Sequence, residues 1–346
     1  MPLLSLIFLL STPPAKAVPR PADIHAKFFV LAYEAEAKGE VFIPLPRIYR
    51  GQTPVGFQLK VKPEAMVKER FVRETADGDA VLEIRLQPMK KDQRIEVEWR
   101  SQLMVDMEED FRIPADAELP SPLPSEAAAW LRPSAFVQSD HPEIIAAAAP
   151  AKRDTLAATV REAWILWYKI VGQQTGMATE LSSVTALTTK GSCTSEANLL
   201  AAMLRALGVP ARLLACYPTY AGRPYDTHYI VEAYCGEKAG WKPVDPSWVS
   251  TSGPFVAISS VEDENMGGRR IAAAAGVPYL SLTETSGALV ARGMLSKNYA
   301  EHAAKFDQKK VLNSDAWLPA QDRWRGWLKQ ASTNAVDLPA DYDPKD

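Results

Sequence analysis

At 346 residues and 47% hydrophobic content, the chain holds enough apolar material for two packed units, which excludes a disordered tail protein. Its 39 Lys and Arg are scattered among 42 Asp and Glu for a formal net charge of −3, so no basic stripe exists to neutralise phosphates and nucleic acid is excluded as the main partner. Four histidines and three cysteines, with no CxxC or HExxH spacing, offer no ready-made metal cage, and neither a metal nor a cofactor is expected.

The first segment reads as an export signal. An apolar run from Leu3 to Leu10 precedes Ala15-Lys16-Ala17, small residues at the two positions a signal peptidase inspects, which predicts cleavage after Ala17 and a secreted or periplasmic protein. Met1-Pro2 lacks the usual basic residue, and a buried N-terminal strand is the competing reading. No later stretch reaches the about 18 to 20 apolar residues that a membrane-spanning helix needs, so no transmembrane segment is expected.

From Ile24 to about Val105, short apolar or alternating runs are separated by Gly and Pro: Phe28 to Tyr33, Val41 to Leu45, Val55 to Val61, Val81 to Leu86 and Ile95 to Trp99. Strands at that spacing, with turn signals such as Asp77-Gly78, predict a small antiparallel sandwich without chemical equipment of its own. The Pro- and Ser-rich stretch Pro114 to Pro124 reads as a linker, because proline biases itself and its predecessor away from helix. Beyond it, helix-favouring stretches run from Ser125 to Leu131, Pro142 to Ala149 and Arg153 to Ile170. In the last, Leu156, Val160, Ala163, Trp164, Trp167 and Ile170 recur at steps of three and four as one buried stripe.

Another helix is expected after Lys190-Gly191, with Ser192 as N-cap, Cys193 in the first turn, and Ala197, Leu200, Leu204 and Leu207 on one face. Gly208 and Pro210 stop it. Ala211 to Tyr217, His228 to Tyr234 and Gly240 to Asp245 then read as strands, so the second unit is a helix followed by an antiparallel sheet and the chain is α+β. Phe255 to Arg292 is expected to finish that sheet. Tyr299 to Gln330 reads as helical, with Trp317, Trp324 and Trp327 docked on the core rather than forming a sugar platform.

A cysteine is a nucleophile only as thiolate, and unpaired N–H groups and the dipole at a helix start stabilise that anion. Cys193 has that placement, its own amide is a candidate oxyanion donor, and Gly191 gives the backbone room for a substrate carbonyl. If the strands of His228 and Asp245 pair across the turn Gly236 to Gly240, the midpoint of 228 and 245 is 236.5. That falls in the turn or at its edge and, within a register offset of a residue or two, brings an imidazole near a carboxylate at one end of a hairpin. The same hairpin sets Cys216 and Cys235 off register, so both are expected unbridged as small buried hydrophobes.

Gly-Ser-Cys-Thr-Ser-Glu-Ala with Leu-Arg-Ala-Leu-Gly-Val-Pro-Ala-Arg, then His-Tyr-Ile-Val-Glu-Ala-Tyr, then Gly-Trp-Lys-Pro-Val-Asp-Pro-Ser, resembles the transglutaminase-like core of the papain-like thiol hydrolases over about Trp130 to Trp248. The resemblance implies a papain/transglutaminase-like core, helix on antiparallel sheet, behind an N-terminal sandwich. Cys193 would be the thioester-forming nucleophile, His228 the base and later acid, and Asp245 the residue holding the imidazole. Arg212 and Trp241 match packing positions. Tyr229 departs from the family's usual Ala followed by Trp, and the side-chain oxyanion donor has no motif match, Gln173 and Gln174 being candidates.

The expected division is 1–17 signal, 18–113 sandwich, 114–124 linker, 125–298 core and 299–346 helical extension. The expected function is an enzyme acting on amide or peptide bonds of a protein or peptide substrate. It would be a peptidase or amidase if water accepts the acyl group and a transglutaminase if an amine does. The alternative from another class is a non-enzymatic binding or scaffolding module on the same fold, which has no need to keep all three triad residues. A metal site built from those residues would not require a cysteine at a helix start.

Overall fold

The computed structural model describes residues 20–49, 52–74, 80–105, 112–178, 180–218, 228–244, 255–261, 281–284, 289–298, 322–329 and 341–342. Residues 1–17, expected from the sequence to be an export signal, and Trp317 lie outside them. Among the described residues, no helix is long and apolar enough to cross a membrane, and no group of His, Cys, Asp and Glu is placed to hold a metal ion.

Six strands come first: β1 (Arg20–Ala32), β2 (Gly39–Leu45), β3 (Gln52–Lys62), β4 (Val67–Glu74), β5 (Ala80–Leu86) and β6 (Arg94–Val105). Period-two burial makes them a sandwich. Ile95, Val97, Trp99 and Leu103 of β6 face inward with Phe28 and Val30 of β1 and meet Leu82, Ile84 and Leu86 of β5 in one apolar core. The strand β4 escaped the sequence reading because Lys68, Glu69, Arg70, Arg73 and Glu74 break its alternation. It lies at the edge of its sheet, where charged side chains guard against further pairing.

Four helices follow: α1 (Ser125–Ala129), α2 (Pro142–Ala148), α3 (Leu156–Gln173) and α4 (Cys193–Ala206), and then strands β7 (Ala211–Pro218), β8 (His228–Tyr234) and β9 (Trp241–Val244). The Thr155 hydroxyl caps α3 by accepting from the Ala158 amide at 3.2 Å. Gly208, at φ 82°, ends α4 where the Gly208 amide donates to the Arg205 carbonyl and the Val209 amide to the Leu204 carbonyl, both at 2.9 Å. The α4 helix is buried on nearly every side, wrapped by α2, α3 and the sheet. Cys216 and Cys235 are buried and unbridged at opposite ends of the β7–β8 pairing, since Cys216 lies across from His228 and Cys235 follows Tyr234.

The C-terminal strands divide differently from the sequence expectation. The strand β10 (Phe255–Val261) pairs with β7 and extends the second sheet to the order β10-β7-β8-β9. By contrast β11 (Ser281–Glu284) pairs with β2, and β12 (Leu289–Asn298) runs antiparallel to β1, Asp23 opposite Asn298. The span 125–298 expected for the core therefore includes two strands of the sandwich. The helix α5 (residues 322–329) buries Trp324, Trp327 and Leu328 in the sandwich core, Trp327 against Phe57, and β13 (Asp341–Tyr342) pairs with β3. The sequence pattern does not show which sheet edge receives β12. The described architecture is α+β, a helix-on-sheet core joined to a sandwich that the chain enters, leaves and re-enters.

Candidate active site

Cys193 is the first residue of the 14-residue α4 and is partly exposed, whereas Cys216 and Cys235 are buried. Ser192 takes the extended N-cap conformation (φ −85°, ψ 169°), yet its hydroxyl makes no capping bond. The Ser195 hydroxyl instead donates to the Ser192 carbonyl at 2.9 Å, and the Glu196 amide donates to the same oxygen at 3.0 Å. No Ser192 side chain therefore occupies the first-turn N–H groups, the donors that an anion at Cys193 or a substrate oxyanion would use. A Cβ at position 191 would run into the Ser195 hydroxyl, so this packing alone demands glycine there, a reason the sequence did not reveal.

The rest of α4 is fixed from behind. The Trp167 indole N–H of α3 donates to the Glu196 carbonyl at 3.0 Å, and the Asn198 amide donates to the Leu181 carbonyl at 2.8 Å. Gln138 gathers the segment ahead of the helix. Its Oε1 accepts from the Ser182 hydroxyl at 2.6 Å and from the Val184 amide at 3.2 Å, while its own amide donates to the Ser183 hydroxyl at 2.9 Å. At the far end, the buried Arg205 guanidinium donates through Nε to the Ala211 carbonyl and through Nη1 to the Arg132 carbonyl, both at 2.8 Å. Such polar anchors hold a helix start in one position.

His228 opens β8 and is buried, at 9% exposure. Strand β8 packs on α4, and two electrostatic effects accompany that packing. Burial raises the Glu196 carboxyl above its ordinary value, and the positive fields of Lys190 and then His228 oppose the rise. The Tyr229 phenol, next to His228, is raised strongly by burial and further by the negative fields of Cys193 and Cys216. Tyr229 therefore stays a neutral hydroxyl at neutral pH, within electrostatic reach of Cys193. Glu196 was not expected at the site, whereas Tyr229 was expected at the cleft wall from its departure from the family pattern.

In the observed register Val231 lies opposite Val244, and the midpoint of 231 and 244 is 237.5, one residue beyond the expected centre. Asp245 follows Val244 and lies outside the described residues. The Gln174 side-chain amide nitrogen donates to the Ala186 carbonyl. Gln173 is exposed at the end of α3. Arg212 and Trp241 hold the packing roles expected of them: the Arg212 guanidinium lies 4.1 Å from the Trp241 ring and donates to buried Glu232 at 2.9 Å.

Comparison with known proteins bears on the fold. Residues 147–246 match the model of the transglutaminase-like superfamily, from α2 through the position of Asp245. A crystal structure from Cytophaga hutchinsonii, described as a "Putative Cysteine Protease", is 16% identical, with 81% of this chain and 91% of that chain covered at a TM-score of 0.58. A structure from Parabacteroides distasonis, described as a "Putative Protease", is 15% identical over 64% of this chain and 47% of that one at a TM-score of 0.23, too low to bear on the fold. No curated protein matches the sequence significantly. The Cytophaga likeness extends the shared fold across most of the chain. The likeness to the transglutaminase-like superfamily lies within the helix-on-sheet core, over residues 147–246.

Proposed function

We propose that the protein is a thiol enzyme that acts on amide or peptide bonds of a protein or peptide through a thioester on Cys193. In this reading His228 takes the Cys193 proton, Sγ attacks the carbonyl carbon, and the C–N bond breaks as His228 returns the proton to the departing amine. Water or a second amine then attacks the thioester and restores the thiol. First-turn amides of α4 would receive the oxyanion, and Asp245 would orient the imidazole. The observation that carries the reading is the partly exposed Cys193 at the start of α4, a helix start that lies within electrostatic reach of His228.

The test is incubation of wild type and Cys193→Ala with casein, with and without dansylcadaverine. New N-termini formed by wild type alone identify water as the acceptor, and fluorescent casein identifies an amine. Both reactions should disappear in Cys193→Ala, and His228→Ala should retain at most about one part in a hundred of the rate. Equal product from wild type and Cys193→Ala would refute the reading.

A further inference from the structure

Tyr49 belongs to the sandwich, in the turn between β2 and β3, yet its hydroxyl donates at 2.6 Å to Glu232 of β8, 183 residues away in sequence. The other oxygen of Glu232 accepts from Arg212 Nε at 2.9 Å. Glu232 is fully buried and Arg212 nearly so. The Tyr49 ring packs on Leu214, Cys216 and Ile230, which line one face of β7 and β8. Cys216 is the register partner of His228, and Ile230 is the next residue of β8 on the same face. Tyr49 therefore lies across the strand end that carries His228 and is anchored further along on Glu232.

Among the described residues, β7 pairs with β8 from His228 to Ala233 and β9 from Val231 to Tyr234. The opposite face of the strand is secured by its packing on α4. Burial and the charge of Glu232 raise the Tyr49 phenol well above its ordinary value, so it remains a donor throughout the neutral range.

We propose that Tyr49 is a positioning residue for His228: through Glu232 and the Leu214–Cys216–Ile230 surface, the sandwich turn fixes the strand end that presents the imidazole to Cys193. This rests on the reading of His228 as the base for Cys193. A hydrogen bond from a distant segment acts on a site only by biasing where an element sits, and effects transmitted in that way are modest.

The experiment is alkylation of Cys193 by iodoacetamide, mapped by mass spectrometry, at pH 6 and pH 9.5, with melting temperatures recorded for every protein. Wild type should react at pH 6 through a thiolate stabilised by His228. Tyr49→Phe, which keeps the ring, should react about threefold to tenfold more slowly at pH 6 and equally at pH 9.5, where ordinary thiols ionise. Adding Glu232→Gln to Tyr49→Phe should slow it little further, because the two groups form one link. Ser101→Ala removes a buried hydroxyl inside the sandwich that donates to the Gly56 carbonyl, and should lower the melting temperature with no change in the ratio of the two rates. A folded Tyr49→Phe protein with the wild-type ratio, alongside a His228→Ala protein that has lost its pH 6 reactivity, overturns the positioning role alone. Absence of pH 6 reactivity in wild type overturns the base assignment and this inference together.

Discussion

The two faces of β8 are buried by different means. Val231 and Ala233 face α4 in a core with Leu200, Leu204 and Leu213, an arrangement made from apolar side chains near one another in sequence. Ile230 and Glu232 face the other way, into a small cluster with Leu214 and Cys216 that a tyrosine from another unit completes and an Arg–Glu pair crosses. The first face depends on area and shape, the second on partners. Apolar burial weakens gradually when a methyl group is lost, whereas a buried charge that loses its counter-charge exacts a full desolvation cost.

Removal of Glu232 probes the difference most severely. Glu232→Ala takes the carboxylate from the buried Arg212 and from Tyr49, and should cost about 3–5 kcal/mol in urea unfolding. On the α4 face, Val231→Ala deletes two methyl groups from a closed core and should cost about 2 kcal/mol. If Val231→Ala proves the more damaging, the contrast between the faces is wrong. Tyr49→Phe removes one hydrogen bond to a charged group while leaving the ring in place, for about 1.5 kcal/mol.

Smaller effects belong to the helix start. Glu196 has its carboxyl raised above its ordinary value by burial, so the folded state holds that proton more tightly than the unfolded state, and stability is lost as pH rises from the ordinary value through the raised one. Glu196→Gln removes the titration. Its melting temperature should therefore fall less than that of wild type between pH 4 and pH 7, and an equal fall would contradict the assignment. Ser192→Ala should change stability by less than about 0.5 kcal/mol, because the hydroxyl makes no capping bond. A loss near 1 kcal/mol would show that it caps the helix after all.

The same contrast explains what could be read in the sequence. The α4 helix was legible from the spacing of Ala197, Leu200, Leu204 and Leu207 and from Gly208, and β8 from its apolar run, because each depends on neighbours within a few turns or strands. The register of β8 on β9 lies two residues from exact pairing of 228 with 245, within the offset of a residue or two that the sequence reading allowed, because the turn length alone does not fix it. Ser192 was legible as a cap position but not as a silent one, since Ser195 and Gly191 settle how the first turn is packed. Tyr49 was illegible. Nothing near it in sequence marks a tyrosine whose partner is 183 residues away, just as nothing in Leu289–Asn298 marks β1 as its partner.

One measurement tests the central claim that Cys193 is an activated thiol: the full pH dependence of iodoacetamide alkylation at Cys193 in wild type, His228→Ala and Asp245→Ala. The account predicts a wild-type reaction that persists well below the ordinary cysteine pKa of about 8.5, a His228→Ala profile returned towards that value, and an intermediate Asp245→Ala profile. A wild-type profile centred on the ordinary value and unmoved by His228→Ala would contradict it, leaving the fold as a scaffold without the chemistry.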